Sequence, residues 1–156
     1  MAWLGFALLT VFTWGVYGLL LHTGTMGMAD PVNGRYKAFL FVGLAYLLVA
    51  VISPLILLKL HRVALGSLPA KGMAWSTIAG VAGAIGAFGV LLAFGNKGTP
   101  AVVMSIVFAG APVVNAIASM IVHPPAGGVS AIRWPFVLGI ALAAAGGCLV
   151  TLYKPA

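Results

Sequence analysis

The residues able to do chemistry in this chain are few, and one group of them is Phe108, Pro112 and Asn115. Pro112 has no N–H to donate and its ring crowds the carbonyl four residues back. A helix through it is therefore expected to kink and to leave the Phe108 carbonyl without its helical partner. Asn115 adds a side-chain amide one turn further on. A second group is Thr10, Thr13, Trp14 and Tyr17, whose spacing puts all four on one helical face. Side chains of this kind line a cavity or pack against a neighbouring helix. His22, His61 and His123 fall at the ends of apolar runs, and no nucleophile with its base can be assembled around them. His22 with Asp30 falls short of the three or four ligands of a metal site. The glycines at spacing three lack the strand–turn–helix setting of a phosphate or dinucleotide loop. No catalytic residue, metal or cofactor is expected, and the chain is not expected to be an enzyme.

The elements that must position these groups are membrane spans. Of 156 residues, 63% are hydrophobic and 6% charged, against about 25% charged in a soluble domain. The mean hydropathy is +1.19. A hydrocarbon core of about 30 Å needs about 20 helical residues. Runs at 2–22, 38–58, 73–95, 100–122 and 135–153 reach about that length without an Asp, Glu, Lys or Arg. None alternates as a barrel strand would. The expectation is an all-α integral membrane protein in which residues 1–156 form a single domain of five transmembrane helices. The first run follows no Lys or Arg and exceeds the 7–15 residues or so of a signal-peptide core, so it reads as a span.

Within hydrocarbon a freed carbonyl or an amide must face other helices or a wet cavity, so Asn115 serves either as helix-packing glue or as cavity lining. Trp14 and Tyr17 sit about 20 Å into a 30 Å span, which leaves them as cavity lining or as unusually deep interfacial anchors. Span two is rich in large residues and reads as a lipid-facing or peripheral helix, with a bend expected at Pro54. Span three carries Gly80, Gly83, Gly86 and Gly89, and reads as a central helix approached closely by others; span five repeats the device with Gly139, Ala143 and Gly147. The loop from Thr23 to Lys37 reads as solvated, with a turn at Pro-Val-Asn-Gly and positive φ at the Asn or Gly. Thr99 is expected to cap span four and Asn96 to cap the end of span three.

Net charge is +7, with Asp30 the only acid. The basic residues are dispersed through loops, the pattern of contact with anionic headgroups of a lipid bilayer; no nucleic acid is expected as a partner. Five spans put Lys59, Arg62, Lys71 and Arg133 on one side and Arg35, Lys37, Lys97 and Lys154 on the other. The cluster of three in one loop favours a cytoplasmic N-terminus. So even a count also permits insertion both ways and pairing with an inverted copy.

The run AFGNKGTPAVVMSIVFAGAPVVNAIASMIV, followed by PFVLGIALAAAGGCLVTLY, resembles the last three helices of an EamA-type unit of the drug/metabolite transporter superfamily. Trp14-Gly15 resembles the Trp-Gly of that family's first helix. The likeness covers nearly the whole chain through short apolar motifs. It departs from the family in two ways: HPPAGGVSAIRW holds Arg133 but no acid, and there is one five-helix unit where most members have two. The resemblance implies a bacterial cytoplasmic-membrane transporter of small metabolites, completed as a homodimer or by a second half-unit and working by alternating access. Its small-molecule substrate would lie among Trp14, Tyr17, Phe108, Pro112 and Asn115. With no acid in any span, the cargo is expected to be neutral or anionic. The alternative is a non-transporting accessory or assembly subunit whose glycine faces bind partner helices.

Overall fold

The structure is a computed structural model that describes residues 2–63, 66 and 68–154, the side chain of residue 129 apart. Residues 64, 65 and 67 of the second loop, and both ends of the expected 1–156 domain, lie outside that description. The chain is an all-α membrane protein. Its five long apolar helices are α1 (Ala2–Gly27), α2 (Gly34–Leu60), α3 (Ala70–Gly95), α4 (Pro100–Val122) and α5 (Trp134–Leu152), each long enough to cross a bilayer, and no strand occurs among the described residues. They fall into two compact units, Met1–Asn96 with α1 to α3 and Lys97–Ala156 with α4 and α5.

In the first unit, α1 runs five residues beyond the expected end at His22, and α2 begins four before Ala38. The loop between them shrinks to Met28–Asn33. Asp30 organises it. Its Oδ1 accepts from the backbone N–H groups of Asn33 and Val32 at 2.9 and 3.1 Å, and Lys37 Nζ donates to Oδ2 at 2.6 Å. These partners, the Asn33 N–H foremost, hold the carboxyl down at about 2 from the usual 3.8. The positive φ lies at Ala29 (52°), whereas Asn33 has φ −113° and Gly34 is already helical. Gly34 is needed for a different reason: a Cβ there would stand 3.2 Å from both Met28 Cβ and the Thr25 carbonyl. The loop is so short that α2 starts against the end of α1.

Pro54 is absorbed without a break. The turn before it, Leu48–Ile52, widens to a π-helix, which makes room for the ring and for the missing N–H. Helix α2 ends on Arg62 with φ 55°, and Val63 N–H reaches back to the Leu58 carbonyl at 2.9 Å, a Schellman ending with arginine in the left-handed position.

Helix α3 is buried along its last third, at Ala87, Val90, Leu91 and Phe94. There Phe88 meets Phe39 of α2 (5.4 Å between ring centres) and Phe94 meets the edge of His22 from α1 (5.5 Å). The Arg35 guanidinium lies on Gly95, where a Cβ would collide with it, and so sets a cation at the negative end of the helix. Within this unit nothing comes within 4 Å of a Cβ built on Gly80, Gly83, Gly86 or Gly89. The glycine face expected to seat neighbouring helices is thus open in its own unit. Asn96 caps α3 as expected, its Nδ2 donating to the Leu92 carbonyl at 2.8 Å.

In the second unit, Thr99 occupies the cap position of α4, but its side chain makes no capping bond; Pro100 supplies the first-turn geometry instead. Pro112 lies inside a helix that continues to Val122. Helices α4 and α5 cross where Gly147 faces Ser105 and Ala109: a Cβ on Gly147 would collide with that of Ala109 and stand 3.1 Å from the Ser105 carbonyl. One glycine of the α5 ridge therefore sets the crossing, while Gly139 faces open space.

Gly147→Ala is expected to destabilise the protein by about 1–3 kcal/mol through overpacking. Gly139→Ala should instead be neutral or stabilising by up to about 1 kcal/mol, since alanine is the better helix former. Denaturant titration of the two variants in detergent, followed by circular dichroism, checks the difference in sign. Because the Asp30 carboxyl is lowered in the folded protein, its contribution to the α1–α2 loop is complete above about pH 4 and is lost as pH falls through about 2. Carbon NMR with selectively labelled aspartate should show one side-chain titration near pH 2; a midpoint near 3.8 would contradict the loop geometry.

Candidate functional site

Two clefts hold most of the residues singled out above, one in each unit. The first has a volume of about 820 Å³ and lies between α1 and α2. Helix α1 contributes Thr13, Trp14, Tyr17, Leu20, Leu21 and Gly24, a stripe at spacings of three and four. Helix α2 faces it with Ala38, Phe41, Val42, Ala45, Tyr46 and Val49. Span two is therefore not simply lipid-facing: one stripe of it is a cleft wall, and Tyr46 was not marked out by the sequence because a lone tyrosine near a span centre has no periodic partner.

The stripe of polar residues on α1 divides. Thr10 Oγ1 donates to the Phe6 carbonyl at 3.0 Å and Thr13 Oγ1 to the Leu9 carbonyl at 3.0 Å, so both hydroxyl protons are used within the helix. Thr10 does not line the cleft. Trp14 and Tyr17 do, half-buried and stacked at a tilt with ring centres 5.5 Å apart. The Tyr17 hydroxyl is buried and has no hydrogen-bond partner. A buried phenol left unpaired costs about 1–3 kcal/mol, and Arg35 Nε is the other buried side-chain atom in that condition among the described residues. Tyr17 lines the cleft, while its hydroxyl oxygen is sealed from solvent.

The second cleft has a volume of about 710 Å³ and is formed within the second unit by α4, the loop after it and the start of α5. Pro112 and Asn115 line it together; Phe108 is 41% exposed and is outside its lining. Ser119 and His123 follow Asn115 at intervals of four, so three polar groups form a ladder down one face of α4. The loop turns back on Gly128, with φ 64°, through a 3₁₀ turn at Gly128–Ala131. It is pinned by Ser130 Oγ donating to the Gly127 carbonyl at 2.7 Å. This return brings Arg133, at the cap position of α5, to the ladder. The sequence reading treated His123 as a helix end and Arg133 as a loop charge. The interval of four from Asn115 to Ser119 to His123 was the available signal.

Among the described residues no three His, Cys, Asp or Glu side chains gather as a metal site. No family model, curated protein or solved structure matches this chain. The two clefts are the ground for a functional reading.

Proposed function

We propose that the chain is a membrane transporter of a small neutral or anionic metabolite: an EamA-like half-unit, completed by a second copy or another half-unit and working by alternating access in a bacterial cytoplasmic membrane, with its N-terminus inside. The observation that carries this reading is the Tyr17 hydroxyl, buried without a partner in the wall of the α1–α2 cleft beside Trp14. A solute that displaces the groups sealing the phenol would satisfy it with an acceptor, and the Trp14 and Tyr46 rings would cover its apolar body. Asp30, the only acid, lies in the α1–α2 loop, so no membrane-embedded carboxylate is available to hold a cation, which argues for neutral or anionic cargo. We assign Trp14 and Tyr17 of the α1–α2 cleft to substrate; Pro112 and Asn115 line the separate cleft of the second unit, and Phe108 lines neither.

A second reading is favoured by a different observation. The four glycines of α3 are open within their unit, a surface a partner helix could approach closely, which suits an accessory subunit that moves no solute.

Liposomes containing the purified chain and loaded with labelled alanine, lactate or glycerol 3-phosphate separate the two. Transport requires at least one probe to leave faster than from protein-free liposomes. Tyr17→Phe should slow that flux roughly five- to ten-fold, the worth of one hydrogen bond made to a bound solute. Protein-free rates for all three probes, with the chain recovered from cells only in complex with other subunits, would favour the accessory role.

A further inference from the structure

We propose that the cleft of the second unit binds a phosphate monoester, held by Arg133, His123 and Ser119, with Asn115 on the body of the ligand. The polar side chains that line this cleft are Asn115, Ser119, His123 and Arg133. All four donate hydrogen bonds and none is acidic; the chain's single carboxylate side chain, Asp30, belongs to the other unit. A cleft so furnished repels cations and recognises an oxyanion.

The arrangement favours a tetrahedral oxyanion over a planar one. The Ser119 hydroxyl and His123 imidazole come from the end of α4, while the guanidinium comes from the opposite wall at the start of α5. Donors from two walls suit the three terminal oxygens of a phosphate monoester, and a guanidinium can take two of them at once. The N-terminal end of the 19-residue α5 adds its positive dipole at the same place. One helical turn above Ser119, about 6 Å along the axis, Asn115 can reach only the part of the ligand beyond the phosphate. Around it Pro112, Ala116, Met120 and Phe136 make the remaining wall apolar. The ligand is therefore amphipathic, with a phosphate head and a short oxygen-bearing body. A free sugar or polyol phosphate and the headgroup of a phosphatidic lipid share this chemistry.

The proposal goes beyond the transport reading, which is carried by the α1–α2 cleft of the other unit, and does not depend on it. Binding is measured on the full chain in an uncharged maltoside detergent. The soluble probe is labelled glycerol 3-phosphate with glycerol as control, and the lipid probe is phosphatidic acid with diacylglycerol as control. At least one phosphorylated probe should bind well above its control. Arg133→Gln should weaken that binding about ten-fold or more and Asn115→Ala several-fold, while Lys154→Gln, away from the cleft, leaves it unchanged. Saturation by glycerol 3-phosphate assigns the site to soluble esters; saturation by phosphatidic acid alone assigns it to a lipid headgroup. Arg133→Lys, which keeps the charge but loses the fork, should retain part of the affinity and covers the case in which the glutamine variant does not fold. Binding of neither probe above its control, or affinity unchanged in both Arg133 variants and in Asn115→Ala, overturns the proposal. Since no flux is measured, phosphate binding can fail while transport stands, and transport can fail while phosphate binding stands.

Discussion

Hydrocarbon supplies no water, and every polar group carried into it must find its partner inside the protein. Seven threonine and serine hydroxyls comply within their own helix. Thr10, Thr13, Thr23, Thr25, Thr77, Ser105 and Thr151 each donate to a backbone carbonyl four residues back, which ties up their protons. The polar groups that make no such bond and belong to residues lining a cleft are the informative ones. The Tyr17 phenol is too long to reach its own backbone and stays unpaired against a cavity. Asn115, Ser119, His123 and Arg133 meet at a second cavity on the rim of a short helical unit.

The two clefts differ in kind. That between α1 and α2 is almost wholly apolar, walled by aromatic rings, with Thr13, Tyr17 and Tyr46 its only side chains bearing a hydroxyl. That in the second unit carries one cation, Arg133, and three neutral side chains able to donate, with no acid. A ligand recognised by the first is selected for shape and for one acceptor, whereas a ligand recognised by the second is selected for charge. Each cleft exists because two helices joined by a short segment are held together at one place: by Gly34 against Met28 and Thr25 in the first unit, and by Gly147 against Ala109 in the second.

The helices themselves were legible in the sequence, since uninterrupted apolar runs of the right length have few other solutions, and α4 was located to the residue at both ends. Loop detail was not. The Thr23–Lys37 segment reads as polar loop because threonine and glycine carry little helical signal, yet α1 continues through it to Gly27, its threonines bonded to their own helix. Asp30 reads as an idle solvated acid because its partners are backbone N–H groups that no sequence displays. Trp14 and Tyr17, and likewise Pro112 and Asn115, were picked out by spacing and share clefts. Tyr46 and Arg133 come from a facing element, and only tertiary structure brings them in. The α3 glycines show the reverse: a pattern plain in the sequence for which the chain's own unit supplies no neighbour.

The claim on which the functional account turns is that the α1–α2 cleft is a water-reached cavity and not a groove filled by lipid. Cysteine accessibility tests it most directly. Cys148 is the chain's only cysteine, so Cys148→Ala gives a clean background into which Ala45→Cys places a thiol in the cleft wall. A membrane-impermeant maleimide is then applied to each side in turn, with Tyr153→Cys at the end of α5 as the positive control. The account predicts that position 45 is labelled from at least one side and that labelling slows when a transported solute is present. Position 45 left unlabelled from both sides while position 153 reacts would contradict it, and the cleft would then belong to the bilayer.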